Sequence, residues 1–261
     1  MKADHLELRG KRFFPFIAPP NGGKGTQTHA LLKAFPKLLE RIDMGALLRE
    51  AVTDPANPLG PRIRERLKQG SLVDSDIVMQ TLQGELHRIV KRNPKVMGYI
   101  LDGFPRNAEQ VERLESVCER EGAEIARAFY LNVPDSIIVE RAAGRVFCLY
   151  CKQSFNLRIE GMKSHYCPVV SRSVTESDTH DYFQRDDDHE DVIKSRLQLF
   201  HDDTAPIIAC FREKGLLEEI NGDRPVQTIT EDILSRMNIS LKNLKIHAAK
   251  AETDHPPFPA P

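Results

Sequence analysis

The sequence predicts a three-layer α/β sandwich, with a central parallel five-stranded sheet covered by helices on both faces. Three observations carry this. Short apolar runs alternate with longer helical ones along most of the 261 residues. The first apolar run ends in a glycine-rich turn that opens into a helix, at Ala18-Pro-Pro-Asn-Gly-Gly-Lys-Gly-Thr26. A later run, Tyr99-Ile-Leu-Asp-Gly-Phe-Pro-Arg106, ends in an acid, a glycine turn and an arginine.

Taken in order, Phe13–Ala18 reads as the first strand. Pro15 removes a ladder donor there, so the strand is expected to start late or to use Pro15 at its beginning. A helix over Lys24–Phe35, a strand over Leu38–Ile42 and a helix over Gly45–Val52 follow. Between Val52 and Val73 lies a polar stretch with three prolines. Helices are then read at Ser75–Val90, Ala108–Glu121 and Asp135–Ala143, with strands at Met97–Leu101 and Ala126–Asn132. A cysteine-bearing insert of different character separates Arg145 from Arg185. Beyond it come a helix at Glu190–Glu213, which Pro206 is expected to kink or split, a strand at Leu217–Ile220 and a helix at Val226–Met237. After Ser240 the chain turns lysine-rich and then proline-rich, the composition of a disordered tail.

Composition narrows the function. With 37 basic against 38 acidic residues there is no basic excess, which argues against nucleic acid or a membrane surface as partner. No run approaches the ~18 apolar residues of a membrane span. Met1 to Arg12 carries no apolar signal core, so a cytoplasmic enzyme is expected. Five cysteines, two of them in a C-x-x-C, suggest a reducing compartment and a metal site rather than a disulfide framework.

The first motif has the parts of a phosphate cradle. Backbone N–H groups of a glycine turn and the positive end of a helix converge on an anion. Lys24 adds a full charge and Thr26 a hydroxyl near a metal. The usual G-x-x-x-x-G-K pattern begins with glycine, and here Ala18 takes that place. Asp102, at the end of the second run, supplies the acid that Mg²⁺-phosphate chemistry needs beside such a loop. Gln110 follows Arg106 by four residues, so a helix starting near Asn107 turns both toward one site.

With these motifs on the page, the chain resembles the adenylate kinase family of nucleoside monophosphate kinases. The family loop G-x-P-G-x-G-K-G-T is matched by Ala18 to Thr26, and its D-G-F-P-R-x-x-x-Q by Asp102 to Arg106 with Gln110. Arg141-Ala-Ala-Gly-Arg145, Gln184-Arg185-Asp-Asp-Asp188 and Arg196 follow in the family order, so the resemblance spans Arg12 to Arg236. It implies a P-loop core (12–43, 75–140 and 187–239), a helical insert that binds the monophosphate (44–74) and a small lid (141–186). It also implies a monomer that moves a phosphoryl group from Mg²⁺-ATP to AMP.

Carried over residue by residue, the ATP side is Asn21, Gly22, Gly23, Lys24, Gly25, Thr26, Arg141, Arg145 and Arg224. The AMP side is Met44, Arg49, Val73, Gly103, Arg106, Gln110, Arg185 and Arg196. Lys24, Arg106, Arg141, Arg185 and Arg196 stabilise the transferred charge, and Asp102 orients Mg²⁺ through water. Two departures bear on the acceptor: Met44 stands where the family has a base-contacting threonine, and Ala46 where it has an acid linked to the metal's water shell. Gln110 tilts the acceptor toward AMP, whereas Met44 and Ala46 leave altered base preference open. The changes at Ala18, Asn21 and Ala46 leave open a catalytically weak nucleotide-binding protein.

The insert's Cys148-Leu-Tyr-Cys151 and Cys167 offer three thiolates to a tetrahedral Zn²⁺. Val170 occupies the place where zinc-bearing relatives have a fourth ligand. Asp178-Thr-His-Asp-Tyr-Phe-Gln-Arg185 resembles the family D-G-G-D-L-Y-Q-R, which implies Asp178 in the fourth place behind an insertion, with His165 and His180 as rivals. The alternative is a lid that keeps three thiols and no metal. Cys118 and Cys210, on helices, read as buried small apolar residues.

Overall fold

The structure, a computed structural model, describes residues 6–68, 71–159, 163–185 and 188–237. From the N-terminus run β1 (Arg12–Ile17), α1 (Lys24–Ala34), β2 (Leu39–Asp43), α2 (Met44–Thr53), α3 (Gly60–Lys68), α4 (Ser75–Arg92) and β3 (Gly98–Asp102). Next come α5 (Ala108–Glu121), β4 (Glu124–Ile125), β5 (Ala128–Asn132) and α6 (Asp135–Gly144). Five short strands follow: β6 (Arg145–Cys148), β7 (Ser154–Asn156), β8 (Ser164–Cys167), β9 (Arg172–Thr175) and β10 (Tyr182–Phe183). The described chain closes with α7 (Glu190–Glu213), β11 (Leu217–Asn221) and α8 (Val226–Met237). The tail expected after Ser240 lies outside the described residues, as do Asp186 and Asp187.

The central sheet is parallel, in the order β11-β5-β1-β3-β2, with β4 also pairing with β1. Side chains alternate across it and build two cores. Phe13, Tyr99, Leu101 and Ile42 pack with Leu82 and Leu86 of α4, Leu114 of α5 and Phe211 of α7. Phe14, Phe16, Ile100, Phe129 and Leu131 pack on the other face with Leu31 of α1 and Ile229 and Ile233 of α8. Each such side chain removed from water stabilises the fold by roughly 1.5–3 kcal/mol, so both faces must stay covered. This is the three-layer sandwich.

Three expectations are corrected. The strand expected at Ala126–Asn132 is interrupted: β4 pairs with Arg12 and Phe13, and β5 with Phe16 and Ile17. The sheet therefore has six strands rather than five. The break answers Pro15. Phe13 O accepts from Ala126 N on that edge, whereas Arg12 N donates to Met97 O on the other. Alternation turns Pro15 to the same edge as Phe13, so its missing N–H falls where the neighbouring strand is broken. β1 thus begins at Arg12, ahead of the proline.

Pro206 does not split α7, a single helix of 24 residues. Ile193 and Leu197 before it and Ile207 and Phe211 after it are buried, anchoring both halves against the core. The polar stretch after Val52 contains α3, which sequence periodicity misses because Ile63 is its one deeply buried side chain among many charges.

β6, β7 and β10 form a small antiparallel sheet beside the β8–β9 hairpin. No helix among the described residues is long and apolar enough to cross a membrane. The C-terminal ends of β1, β3 and β5, the N-terminus of α1 and the Arg145 end of the small sheet face a common cavity.

Candidate functional site

The turn between β1 and α1 bends tightly because three positions allow it. Gly23 caps α1 at φ 85°, in the left-handed region where glycine is unstrained. A Cβ on Gly22 would stand 2.9 Å from the Pro19 carbonyl oxygen, so nothing larger fits there. Asn21 has φ 58°. Asparagine is among the few side chains that tolerate that conformation, so its departure from glycine keeps the loop's shape. Gln27 N donates to Gly23 O and starts the helical ladder, while Gly22 N closes the turn onto Pro19 O; the first-turn N–H groups of Lys24, Gly25 and Thr26 have no place in that ladder and suit an anion.

Lys24, at the first position of α1, reaches Asp102 Oδ1 at 2.5 Å. Register explains the meeting: Asp102 pairs with Phe16 and with Asp43 at the ends of β1 and β2. Arg41, which the motifs do not single out, closes the other side. Its Nε and Nη2 donate to Asp102 Oδ2 at 3.1 and 2.5 Å, and Nη2 also reaches Asp43 Oδ2 at 2.8 Å. Burial alone would favour the neutral acid at Asp102, but Lys24 and Arg41 outweigh it and hold the carboxyl below its ordinary value. Arg41 carried one sequence signal: a charge within a half-buried strand, two residues after the buried Leu39.

These groups line a cavity of about 890 Å³ that also gathers Thr26, Arg106, Arg141, Arg145, Arg196 and Arg224. Arg141 Nη2 donates to Gly222 O at 3.0 Å, and Arg224 is tied to Asp232 at 2.6 Å, so α6 and the loop after β11 form one wall. Gln27 bridges α1 to α8 through Val226 O at 3.1 Å and Thr230 Oγ1 at 2.8 Å. Arg145 grips Asp188, 1 % exposed, with Nε at 2.9 Å and Nη2 at 2.5 Å, and Asn21 Nδ2 reaches the same carboxylate at 3.2 Å. Asp188 thus ties the start of the small sheet to the phosphate loop.

The acceptor-side residues are distributed differently. Arg106 lines the cavity. Gln110 is buried, and its Oε1 accepts from Arg106 N at 2.8 Å, which fixes the amide. Gly103 lies at φ 74°, with Gly45 N 3.9 Å from where its Cβ would stand. Arg49 is exposed and folds back over Gly45, and Val73 is buried in the core. Met44 is 2 % exposed and packs with Ile42 and Leu48 in the core. Arg185 does not line the cavity; its guanidinium sits 3.8 Å over the Phe147 ring.

The cysteine cluster departs from expectation in one ligand. Cys148, Cys151, Cys167 and His165 converge, with their ligand atoms all within 4.8 Å of one another and Cys151 Sγ 2.9 Å from His165 Nε2. A tetrahedral Zn²⁺ with thiolate bonds of about 2.3 Å sets its ligands about 3.8 Å apart, so the set fits a metal. His165 and Cys167 are two apart on β8 and share its face. Asp178, the expected fourth ligand, is occupied elsewhere. Its Oδ2 accepts from Thr175 N and Oγ1, both at 2.8 Å, and its Oδ1 from Arg172 at 3.1 Å. His180 is exposed and outside the group. Of the remaining thiols, Cys118 is buried and its pKa is pushed up to about 12 by that burial, while Cys210 is only half-buried.

Comparison with known proteins agrees with this geometry. A family model described as adenylate kinase matches residues 16–216. An adenylate kinase of Caldicellulosiruptor bescii is 33% identical over 223 residues, covering 85% of this chain and 97% of the relative. Adenylate kinase 4 of Arabidopsis thaliana is 32% identical over 219 residues, 84% of this chain and 83% of its own. An adenylate kinase of Hydrogenobaculum sp. is 31% identical over 221 residues, 85% and 98% respectively. The chain therefore belongs to the adenylate kinase family of nucleoside monophosphate kinases.

Proposed function

We propose that the chain catalyses Mg²⁺-ATP + AMP ⇌ 2 ADP. The observation that carries this is the single cavity uniting the phosphate loop with Arg106, Arg141, Arg145 and Arg196. Transfer breaks the bond between the γ-phosphorus and its bridging oxygen while an AMP phosphate oxygen bonds to the same phosphorus. Such a reaction needs alignment and charge neutralisation more than covalent help. Lys24 follows the moving group, and Arg106, Arg141 and Arg196 hold the equatorial oxygens with bidentate forks. Bound Mg²⁺ would neutralise phosphate charge; Asp102 is the acid placed to orient its waters, and Thr26 supplies the hydroxyl.

The reading divides the chain into a phosphate-binding core, an AMP insert from 44 to 74 and a lid from 141 to 186. Arg145 and Arg185 stand at the two ends of that lid, so its closure would add Arg185 to the site and expel water. A structural Zn²⁺ on Cys148, Cys151, Cys167 and His165 would hold the lid together. Gln110, its amide fixed by Arg106 N, favours adenine as the acceptor base, and Met44 and Ala46 are the departures that would alter that preference. A coupled assay offering AMP, CMP, UMP and GMP in turn tests the acceptor. AMP should give the highest specificity constant; a higher value for CMP or UMP would replace this reading with a pyrimidine monophosphate kinase.

A further inference from the structure

Arg41 lines the cavity, and its partners reach both proposed nucleotide sides. It lies on β2 between Leu39, which packs into the α1-side core, and Asp43, so all three share one face of the sheet. Toward the donor side its Nε and Nη2 bond to Asp102 Oδ2, while Lys24 takes Asp102 Oδ1. Toward the acceptor side Nη2 reaches Asp43 Oδ2 at 2.8 Å. The other oxygen of Asp43 caps α2, accepting from Ala46 N at 2.9 Å. The result is a continuous chain, Lys24–Asp102–Arg41–Asp43–α2, from the phosphate loop to the helix that opens the proposed AMP insert and carries Arg49.

We propose that Arg41 is a positioning residue for phosphoryl transfer: it fixes Asp102 and the start of α2 against each other, and so sets the alignment of donor and acceptor phosphates. A planar guanidinium suits this because it can bridge two carboxylates in one rigid geometry, which a point charge cannot. Ala46 sharpens the requirement. With no acid at that position, Asp102 and Asp43 supply carboxylates at this end of the sheet, and Arg41 touches both. Its side chain is 36% exposed, so it stands at the cavity wall rather than in the core.

The proposal rests on the reading of Lys24 and Asp102 as the phosphate site, and its test separates the two. Arg41→Gln and Arg41→Lys are compared with wild type in kcat and KM for AMP, in AMP affinity measured calorimetrically without ATP, and in melting temperature. Misalignment predicts that Arg41→Gln lowers kcat by about tenfold or more. AMP affinity should change by less than about threefold, because Arg106 remains, and melting should shift by only a few degrees. Arg41→Lys should recover part of kcat, since it restores one ion pair and not the bridge. Wild-type kcat in Arg41→Gln would overturn the proposal, as would a large fall in melting temperature with unchanged kcat per folded enzyme. Lys24→Ala measured alongside isolates the underlying reading: full turnover there would remove the phosphate site itself, whatever Arg41 does.

Discussion

The phosphate loop and the cysteine insert both place a few polar groups precisely enough for ligation, yet they are supported in opposite ways. The loop hangs between β1 and α1, and the residues flanking it, Phe14, Phe16 and Leu31, belong to an extensive apolar core. Its shape is a backbone property, set by Gly23, by Asn21 in the left-handed region and by strand register that delivers Asp102 to Lys24. Among the described residues, the insert's buried apolar cluster is Val146, Cys148, Phe155, Cys167 and Val174, and two of those are metal-ligand candidates. A core that small supplies little stability, so a metal held by the Cys/His group would do there what packing does elsewhere. The lesson is a separation of roles: changes at the loop should strike chemistry and spare the fold, whereas changes at the cluster should strike the fold of the insert and spare chemistry.

The strongest way to break this comparison is Lys24→Ala. Loss of the charge that follows the phosphoryl group should lower kcat by ~10²-fold or more with the melting temperature nearly unchanged. Stopped or steady-state turnover beside a melting curve checks both halves. Cys151→Ser is the mirror experiment. It should release zinc and lower the melting temperature by several degrees while turnover well below that temperature survives; elemental analysis of protein purified without chelator measures the metal directly. Retention of a full equivalent of zinc would break the comparison on the lid side.

The fourth ligand sharpens it. His165→Ala should weaken zinc retention, measured by competition with a chromogenic chelator, whereas Asp178→Ala should leave the metal in place. Asp178→Ala loses only the turn contacts to Thr175 and Arg172, so it should lower the melting temperature only slightly. The smallest effect is pH dependence at the loop. Because the Asp102 pKa is held below 3.8 in the folded protein, its pairing contributes fully above about pH 4 and is lost as pH falls through the depressed value. The melting temperatures of wild type and Asp102→Asn should therefore differ at neutral pH and converge in acid. A constant difference would place the effect in packing rather than charge.

Much of the core was readable because its signals are local. α5, α7 and α8 begin and end where periodicity, caps and glycine place them; Asn107 caps α5 through Gln110 N, and Gly122 ends it at φ 68°. The loop motif carried its own chemistry, since glycine, lysine and threonine at those positions suit little else. The misses share a different character. α3 packs through a single deeply buried isoleucine, too weak a pattern to stand out. The gap between β4 and β5 depends on what Pro15 lacks in the strand beside it. Asp178 and His165 could be ranked only by knowing which side chains a hairpin turns inward, and the period-two spacing of His165 and Cys167 becomes informative once that stretch is known to be a strand.

By itself the sequence determined the alternation of strands and helices and the glycine turn that places Lys24 at the start of α1, and it singled out the acid and most of the arginines that gather at the cavity. These follow from backbone freedom and charge at fixed short spacing, which survive without knowledge of the neighbours. Only the tertiary structure decided that Arg41 joins Asp102 to Asp43, that Asp188 ties Arg145 to Asn21, that Met44 belongs to the core and that His165 completes the cysteine cluster. Each depends on residues far apart in the chain meeting through strand register or hairpin pairing, and on burial that decides which partners a charge or a thiol can reach.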